Sequence, residues 1–240
     1  MADMNRVVVS CMDRRLSSFL DETYNDGRTV FVRNAGANMA TVVNTVKQLS
    51  IEFPIKKIVI APHTDCGAMG IVDSAVHANA KASQAIENSL VAQFRKLGFD
   101  SRKALEERLN GSVQRDAIAS FAKSIGAEVD VSLIDLGRLD LPAHSGKHIL
   151  TITKPTATSY FELLKRFGEG VGMFDSYFIQ AKGMRDVLPD IEVAVSALHI
   201  SDVRLLSESD SGNSIMDSDL ALLKKQEYMK GVEISTIAKE

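Results

Sequence analysis

Three short β-branched runs, each breaking into polar chemistry, constrain the fold of this chain most strongly. They are Arg6–Cys11 (RVVVSC), Thr29–Val32 (TVFV) and Lys57–Ala61 (KIVIA). Helical spacing fills the gaps between them, with Leu16, Phe19 and Leu20 in Arg15–Tyr24, then Val42, Val43, Val46, Leu49 and Ile51. Strands that read as continuous apolar runs and alternate with helices imply a parallel sheet covered on both faces. The expected class is α/β, a sheet with a parallel core flanked by helices. Ligands in such sheets bind beyond the carboxyl ends of the strands, and the unusual residues of this chain lie there.

Cys11 and Cys66 are the chain's two cysteines. Cys11 ends the first run and opens Cys11-Met12-Asp13-Arg14-Arg15; the third run ends in His63-Thr64-Asp65-Cys66-Gly67. Neighbouring strands would bring Cys11, His63 and Cys66 into one crevice. Two thiolates and an imidazole suit zinc and leave a fourth position open. Asp13 could fill that position, or it could accept a hydrogen bond from a water held there. Arg15 decides between the two, because a bidentate Arg–carboxylate pair would draw Asp13 off the metal. Zinc lowers the pKa of such a water to about 7. Asp65 could orient a ligand or be a solvated turn carboxylate. After the second run, Arg33-Asn34-Ala35-Gly36-Ala37-Asn38 is a small-residue loop that lets backbone approach a ligand closely.

Composition removes several function classes. The net charge is −3 over 240 residues, and basic residues are not interleaved with aromatics, which argues against nucleic acid. No apolar run is long enough to span a bilayer. The first strand begins near residue 6, too early for a signal peptide before it. Two distant cysteines read as metal ligands kept reduced in a cytoplasmic protein.

Beyond residue 70 the pattern predicts helices over Ala75–Leu97, Ser101–Leu109 and Val113–Ile125, with Gly98 and Gly126 as stops. Strands are expected at Glu128–Leu136, His148–Thr153, Ser176–Ala181 and Ile191–His199. Helices are expected at Thr158–Phe167 and Ile215–Gln226, the last after a link at Ser207–Gly212. Neither metal motif recurs after residue 66, so an internal repeat has little support in the sequence. His77, His144, His148 and His199 read as surface or satisfied core histidines, and none is singled out as a proton shuttle.

The blocks Cys11–Arg15, Arg33–Gly36 and His63–Gly67, in this order and at these separations, resemble the β-class carbonic anhydrases. The resemblance covers roughly residues 5–70. It implies that Cys11, His63 and Cys66 bind zinc and that Asp13 and Arg15 form a dyad gating the fourth position, with Asp13 a ligand in a closed state. It implies a mixed sheet with a parallel core, an obligate homodimer whose interface lines the pocket, and pocket walls at Gly36, Ala37 and Gly67. The expected domains are 1–144, carrying zinc, and 145–240, a divergent α/β extension packed on the same sheet. The leading expectation is a zinc lyase interconverting carbon dioxide and bicarbonate. Its rivals are hydrolysis of carbon disulfide or carbonyl sulfide at the same site, and a non-catalytic zinc-binding interaction protein.

Overall fold

The computed structural model describes residues 4–141, 146, 148–155, 163, 175–208 and 217–239. Among the described residues, eight strands form two four-stranded sheets, and every pairing within them is parallel. The first sheet contains β1 (Arg6–Cys11), β2 (Thr29–Asn34), β3 (Lys57–Ala61) and β4 (Glu128–Val131), in the order β2-β1-β3-β4. From Val7 to Cys11 β1 is buried throughout, as a central strand with helices on both faces must be.

Crossover helices do the covering. Helix α1 (Ser17–Tyr24) follows β1, and α2 (Met39–Glu52) follows β2 with Val42, Val46 and Leu49 turned inward. Asn38 caps α2 by accepting the Ala40 N–H at 3.0 Å. After β3 come α3 (Gly67–His77), α4 (residues 84–95) and α5 (residues 102–124), the last two each with a π-type turn in mid-course. The second sheet contains β5 (Ile149–Thr153), β6 (Ser176–Gln180), β7 (Asp202–Glu208) and β8 (Glu233–Lys239), in the order β6-β5-β7-β8. Helix α6 (Leu188–Ala197) joins β6 to β7, and α7 (Asp217–Lys224) precedes β8.

The α/β class with parallel strands is as expected, and several details are corrected. The C-terminal strands build their own sheet instead of extending the first: β6 faces the β2 edge without a ladder, and the Phe178 N–H donates to Met12 O, just past β1, at 2.9 Å. Ile191–His199, read as a strand, belongs mainly to α6: Pro189 sits in the first turn, where its missing N–H costs nothing, and Asp190, Ile191, Val193 and Ala194 are all buried. Its Ile-Glu-Val-Ala-Val alternation imitates a strand. The helix expected over Ala75–Leu97 breaks after His77 and restarts at Gln84, where Ser83 Oγ accepts the Ile86 N–H. Strand β4 is shorter than Glu128–Leu136, and β7 and β8 were not foreseen because their polar residues mask the alternation. The helix expected at Thr158–Phe167 lies outside the described residues, Leu163 excepted. Among the described residues, no helix is long and apolar enough to cross a membrane.

Candidate metal centre

Strand order places the site. The chain leaves β1 for β2 on one side, and β3 lies on the other, so the carboxyl ends of β1 and β3 flank a switch point of the sheet. Cys11 is the last residue of β1; His63 lies two residues beyond β3 and pairs with Ile134 as an extension of the ladder. Cys66 then precedes α3. The ligand atoms of Cys11, His63 and Cys66 all lie within 4.8 Å of one another, and all three residues are buried.

The donor set fits zinc. The two sulfurs are 3.9 Å apart, and two thiolates each about 2.3 Å from a tetrahedral zinc would stand about 3.8 Å apart. His63 Nδ1 lies 2.8 Å from Thr64 O, which assigns the proton to Nδ1 and leaves Nε2 as the donor. That Nε2 is buried and makes no hydrogen bond, the condition of an atom meant for a metal.

Negative charge gathers at Cys11: the Cys66 thiol donates to it and His63 attracts it, which lowers its pKa against burial and raises that of Cys66. Gly36 N–H also points at Cys11 Sγ, at 3.3 Å. Gly36 has φ +72°, and an added Cβ would stand 3.0 Å from Met69 Cε and 3.2 Å from Ala68 Cβ. Glycine alone meets both demands.

Asp13 and Arg15 form the foreseen pair. Arg15 Nε donates to Asp13 Oδ1 at 3.0 Å and Nη2 to Oδ2 at 2.7 Å, while the Arg15 N–H bonds Oδ1 at 3.0 Å. Burial works to raise the Asp13 carboxyl, yet the Arg15 hydrogen bonds and the charges of His63 and Arg15 hold it below the usual carboxylate range. Asp13 Oδ2 is 4.0 Å from His63 Nε2, at the mouth of the donor triangle. Arg15 also bonds the Asp65 side chain at 2.6 Å and the Asp65 carbonyl at 2.9 Å, so Asp65 supports the arginine.

Several supporting residues were not legible in the sequence. Glu106, on α5, accepts the Asp65 and Cys66 N–H groups, each at 2.9 Å, and Arg102 bonds both Glu106 and the Cys66 carbonyl. Arg33 clamps the turn after β1 through Cys11 O at 3.0 Å and Asp13 O at 2.7 Å. Asp190, on α6, accepts the Ala35 N–H at 3.0 Å. Burial pushes its carboxyl up to about 7, against hydrogen bonds with Thr41 and Ala35.

A cleft of about 190 Å³ opens onto the centre, with Cys11, Asp13, Gly67, Ala68, Tyr177 and Leu198 among its walls. Of the expected wall residues, Gly67 lies on the cleft; Gly36 and Ala37 are buried and do not line it. Tyr177 and Leu198 come from the second half. An added Cβ on Gly67 would meet Leu198 Cδ2 at 3.3 Å.

Fold and site thus define a parallel α/β protein with a Cys–His–Cys zinc centre at a sheet switch point, beside a hydrogen-bonded Asp13–Arg15 pair. A family model described as carbonic anhydrase matches residues 6–130, just over half of the chain. The chain belongs to the β-carbonic anhydrase family and is an enzyme of the carbonate dehydratase type. Solved structures similar to it include one of two tetrameric β-carbonic anhydrases from Sordaria macrospora, at 16% identity and TM-score 0.43, covering 57% of this chain and 78% of that one. The β-carbonic anhydrase of Aspergillus fumigatus is also 16% identical, with TM-score 0.44 and coverages of 59% and 78%. The isoform I enzyme of Trichomonas vaginalis is 18% identical, with TM-score 0.39 and coverages of 58% and 81%. No curated protein matches the chain. The family assignment rests on the matched sequence model.

Proposed function

We propose that this chain catalyses the reversible hydration of carbon dioxide to bicarbonate at Cys11, His63 and Cys66, with Asp13 and Arg15 keeping the fourth metal position open. The observation that carries the reading is the two-point grip of Arg15 on Asp13 beside the three donors. A carboxylate whose oxygens both serve an arginine is held back from the metal position. The same grip argues against a closed, structural site.

Zinc held by the three donors would supply an acidified water as the nucleophile. The remaining work falls to the chain. Asp13, kept ionised by Arg15, accepts a hydrogen bond from the nucleophile and aims it. Arg15 ties the loop after β1 to the loop after β3 through Asp65, holding Cys11 and Cys66 in register. Glu106 takes up the N–H groups of Asp65 and Cys66, so that turn does not need water. Met12, Ala68 and Leu198 give the cleft an apolar wall for a linear, uncharged gas. A reducing compartment such as the cytoplasm suits two buried, free thiols.

Stopped-flow hydration of carbon dioxide, run beside sulfide release from carbon disulfide and carbonyl sulfide, tests the reading. Rapid bicarbonate formation with little sulfide is expected. Sulfide release with negligible bicarbonate would assign the site to the sulfur gases instead.

A further inference from the structure

The two sheets share more than class. Their orders, β2-β1-β3-β4 and β6-β5-β7-β8, are one order if β5 is set on β1, β6 on β2, β7 on β3 and β8 on β4. With the first residues of matched strands set level, the ladders of both sheets start together. Arg6 pairs with Thr29 and with Lys57, and Lys57 pairs with Glu128. Ile149 pairs with Ser176 and with Asp202, and Asp202 pairs with Glu233. Even the outlying bridge between His63 and Ile134 has a counterpart, Glu208 with Lys239. Order and direction alone recur in unrelated doubly wound sheets; here the spacing along the chain agrees as well, the starts of β1 to β2 and β2 to β3 being 23 and 28 residues apart against 27 and 26 for β5 to β6 and β6 to β7.

This register shows what stands where the metal ligands would be. Lys154 occupies the position of Cys11, and its Nζ donates to Lys182 O at 2.5 Å. Glu208 occupies that of His63. The long insert at residues 62–127, which carries Glu106 and Asn110, is reduced to residues 209–232. In the first half Asn110 supports the site by donating to Gly36 O at 3.0 Å. Among the described residues, the second half has the sheet of a metal domain with no matching cluster of ligands.

The contacts between the halves are reciprocal. The edge strands β2 and β6 face each other across the junction. On one side the Ala35 N–H, just past β2, donates to Asp190 on α6 at 3.0 Å. On the other side the Lys182 N–H, at the position matching Ala35, donates to Thr45 Oγ1 on α2 at 3.0 Å. Each post-strand loop is thus held by the opposite half's following helix. The accepting residues, Asp190 and Thr45, do not stand at matching positions, but element for element each half holds the other in the same way, as across an isologous, two-fold interface.

We infer that the described elements between residues 148 and 239 are a second, metal-free copy of the first-half fold, serving as a covalent partner subunit that completes the single metal centre within one chain. Asp190 is its positioning residue: it holds Ala35, whose neighbour Gly36 donates to Cys11 Sγ. Tyr177 and Leu198 supply its share of the cleft wall. On this account no second chain is needed to finish the site, and the boundary near residue 145 separates two copies of one fold.

The two reciprocal bonds give the experiment its control. Cobalt(II) is titrated into the full chain, reading the thiolate-to-cobalt absorption band, for wild type, Asp190→Leu, Asp190→Asn and Thr45→Val. Asp190→Leu is expected to weaken cobalt binding about 10-fold or more and to shift the band. Asp190→Asn keeps an acceptor for Ala35 and should restore both, and Thr45→Val, which removes the matching bond on the metal-free side, should leave both unchanged. Equal losses in Asp190→Leu and Thr45→Val, or none in either, would overturn the assignment of Asp190. Sedimentation of the zinc-loaded wild type by dilution gives an independent reading. One zinc in a species of single-chain mass supports a site complete in one chain; zinc confined to species of two or more chains overturns it. Neither readout uses gas hydration, so failure of the proposed activity would be seen separately.

Discussion

Arg15 binds Asp13 through both carboxylate oxygens, at 3.0 and 2.7 Å, and reaches Asp65 with its remaining nitrogen at 2.6 Å. One guanidinium thereby joins the turn carrying Cys11 to the turn carrying Cys66. Removing it frees Asp13 to close the metal position and loosens both turns. Arg15→Ala is expected to cut carbon dioxide turnover about 100-fold or more while zinc content stays near that of wild type. Metal analysis of the assayed sample distinguishes this from simple loss of zinc.

Glu106 holds two ligand-turn N–H groups with one carboxylate. Hydrogen bonds to a charged group are worth about 1.5–3 kcal/mol, and Glu106→Ala would leave two donors unsatisfied. A stability loss of about 3 kcal/mol and weaker zinc binding are expected. Urea unfolding and competition with a chelator measure the two.

Gly36 combines a left-handed backbone with close contacts to Met69 and Ala68. Gly36→Ala adds a conformational cost of about 1–2 kcal/mol and moves the N–H aimed at Cys11 Sγ. Thermal unfolding should shift downward by several degrees, and a red or blue shift of the cobalt–thiolate band should report the changed sulfur environment. An unchanged band would argue that this N–H does not tune the thiolate.

Asp190 makes stability depend on pH. Its folded carboxyl titrates at about 7 because burial penalises its charge, whereas an unfolded aspartate titrates at about 3.9. Between these values the folded state holds the proton that the unfolded state has released. The contribution of Asp190 therefore falls as pH rises from about 4 to about 7 and is level above, a change of about 4 kcal/mol at most. Asp190→Asn should flatten this part of the profile, measured by urea unfolding at pH 5, 6, 7 and 8 with metal occupancy held constant. A wild-type slope identical to that of the variant would contradict the raised titration.

The three donors and the Asp13–Arg15 pair were legible because each lies within a few residues of a strand end, where local sequence carries the geometry. Glu106 was not, since Arg102 and Glu106 four residues apart look like an ordinary surface pair on a helix; only the folding of α5 back over Cys66 gives that carboxylate its task. Asp190, Tyr177 and Leu198 reach the centre from more than 100 residues away in sequence, across the junction of two sheets. The duplication was hidden for a related reason. Strand order and spacing survive the loss of Cys11, His63 and Cys66 from the second copy, but motifs do not. Strand β7 shows the same masking at short range: Asp202 and Arg204 neutralise each other at 2.7 Å, so a strand with two charges at its start was passed over.

The most direct test is to titrate zinc into metal-stripped protein and follow the carbon dioxide hydration rate against bound zinc, with Cys66→Ala alongside. The rate should rise in proportion to zinc, saturate at one zinc per chain, and be absent in Cys66→Ala at every zinc concentration. Full hydration by the zinc-free chain, or none by the fully loaded chain, would contradict the account.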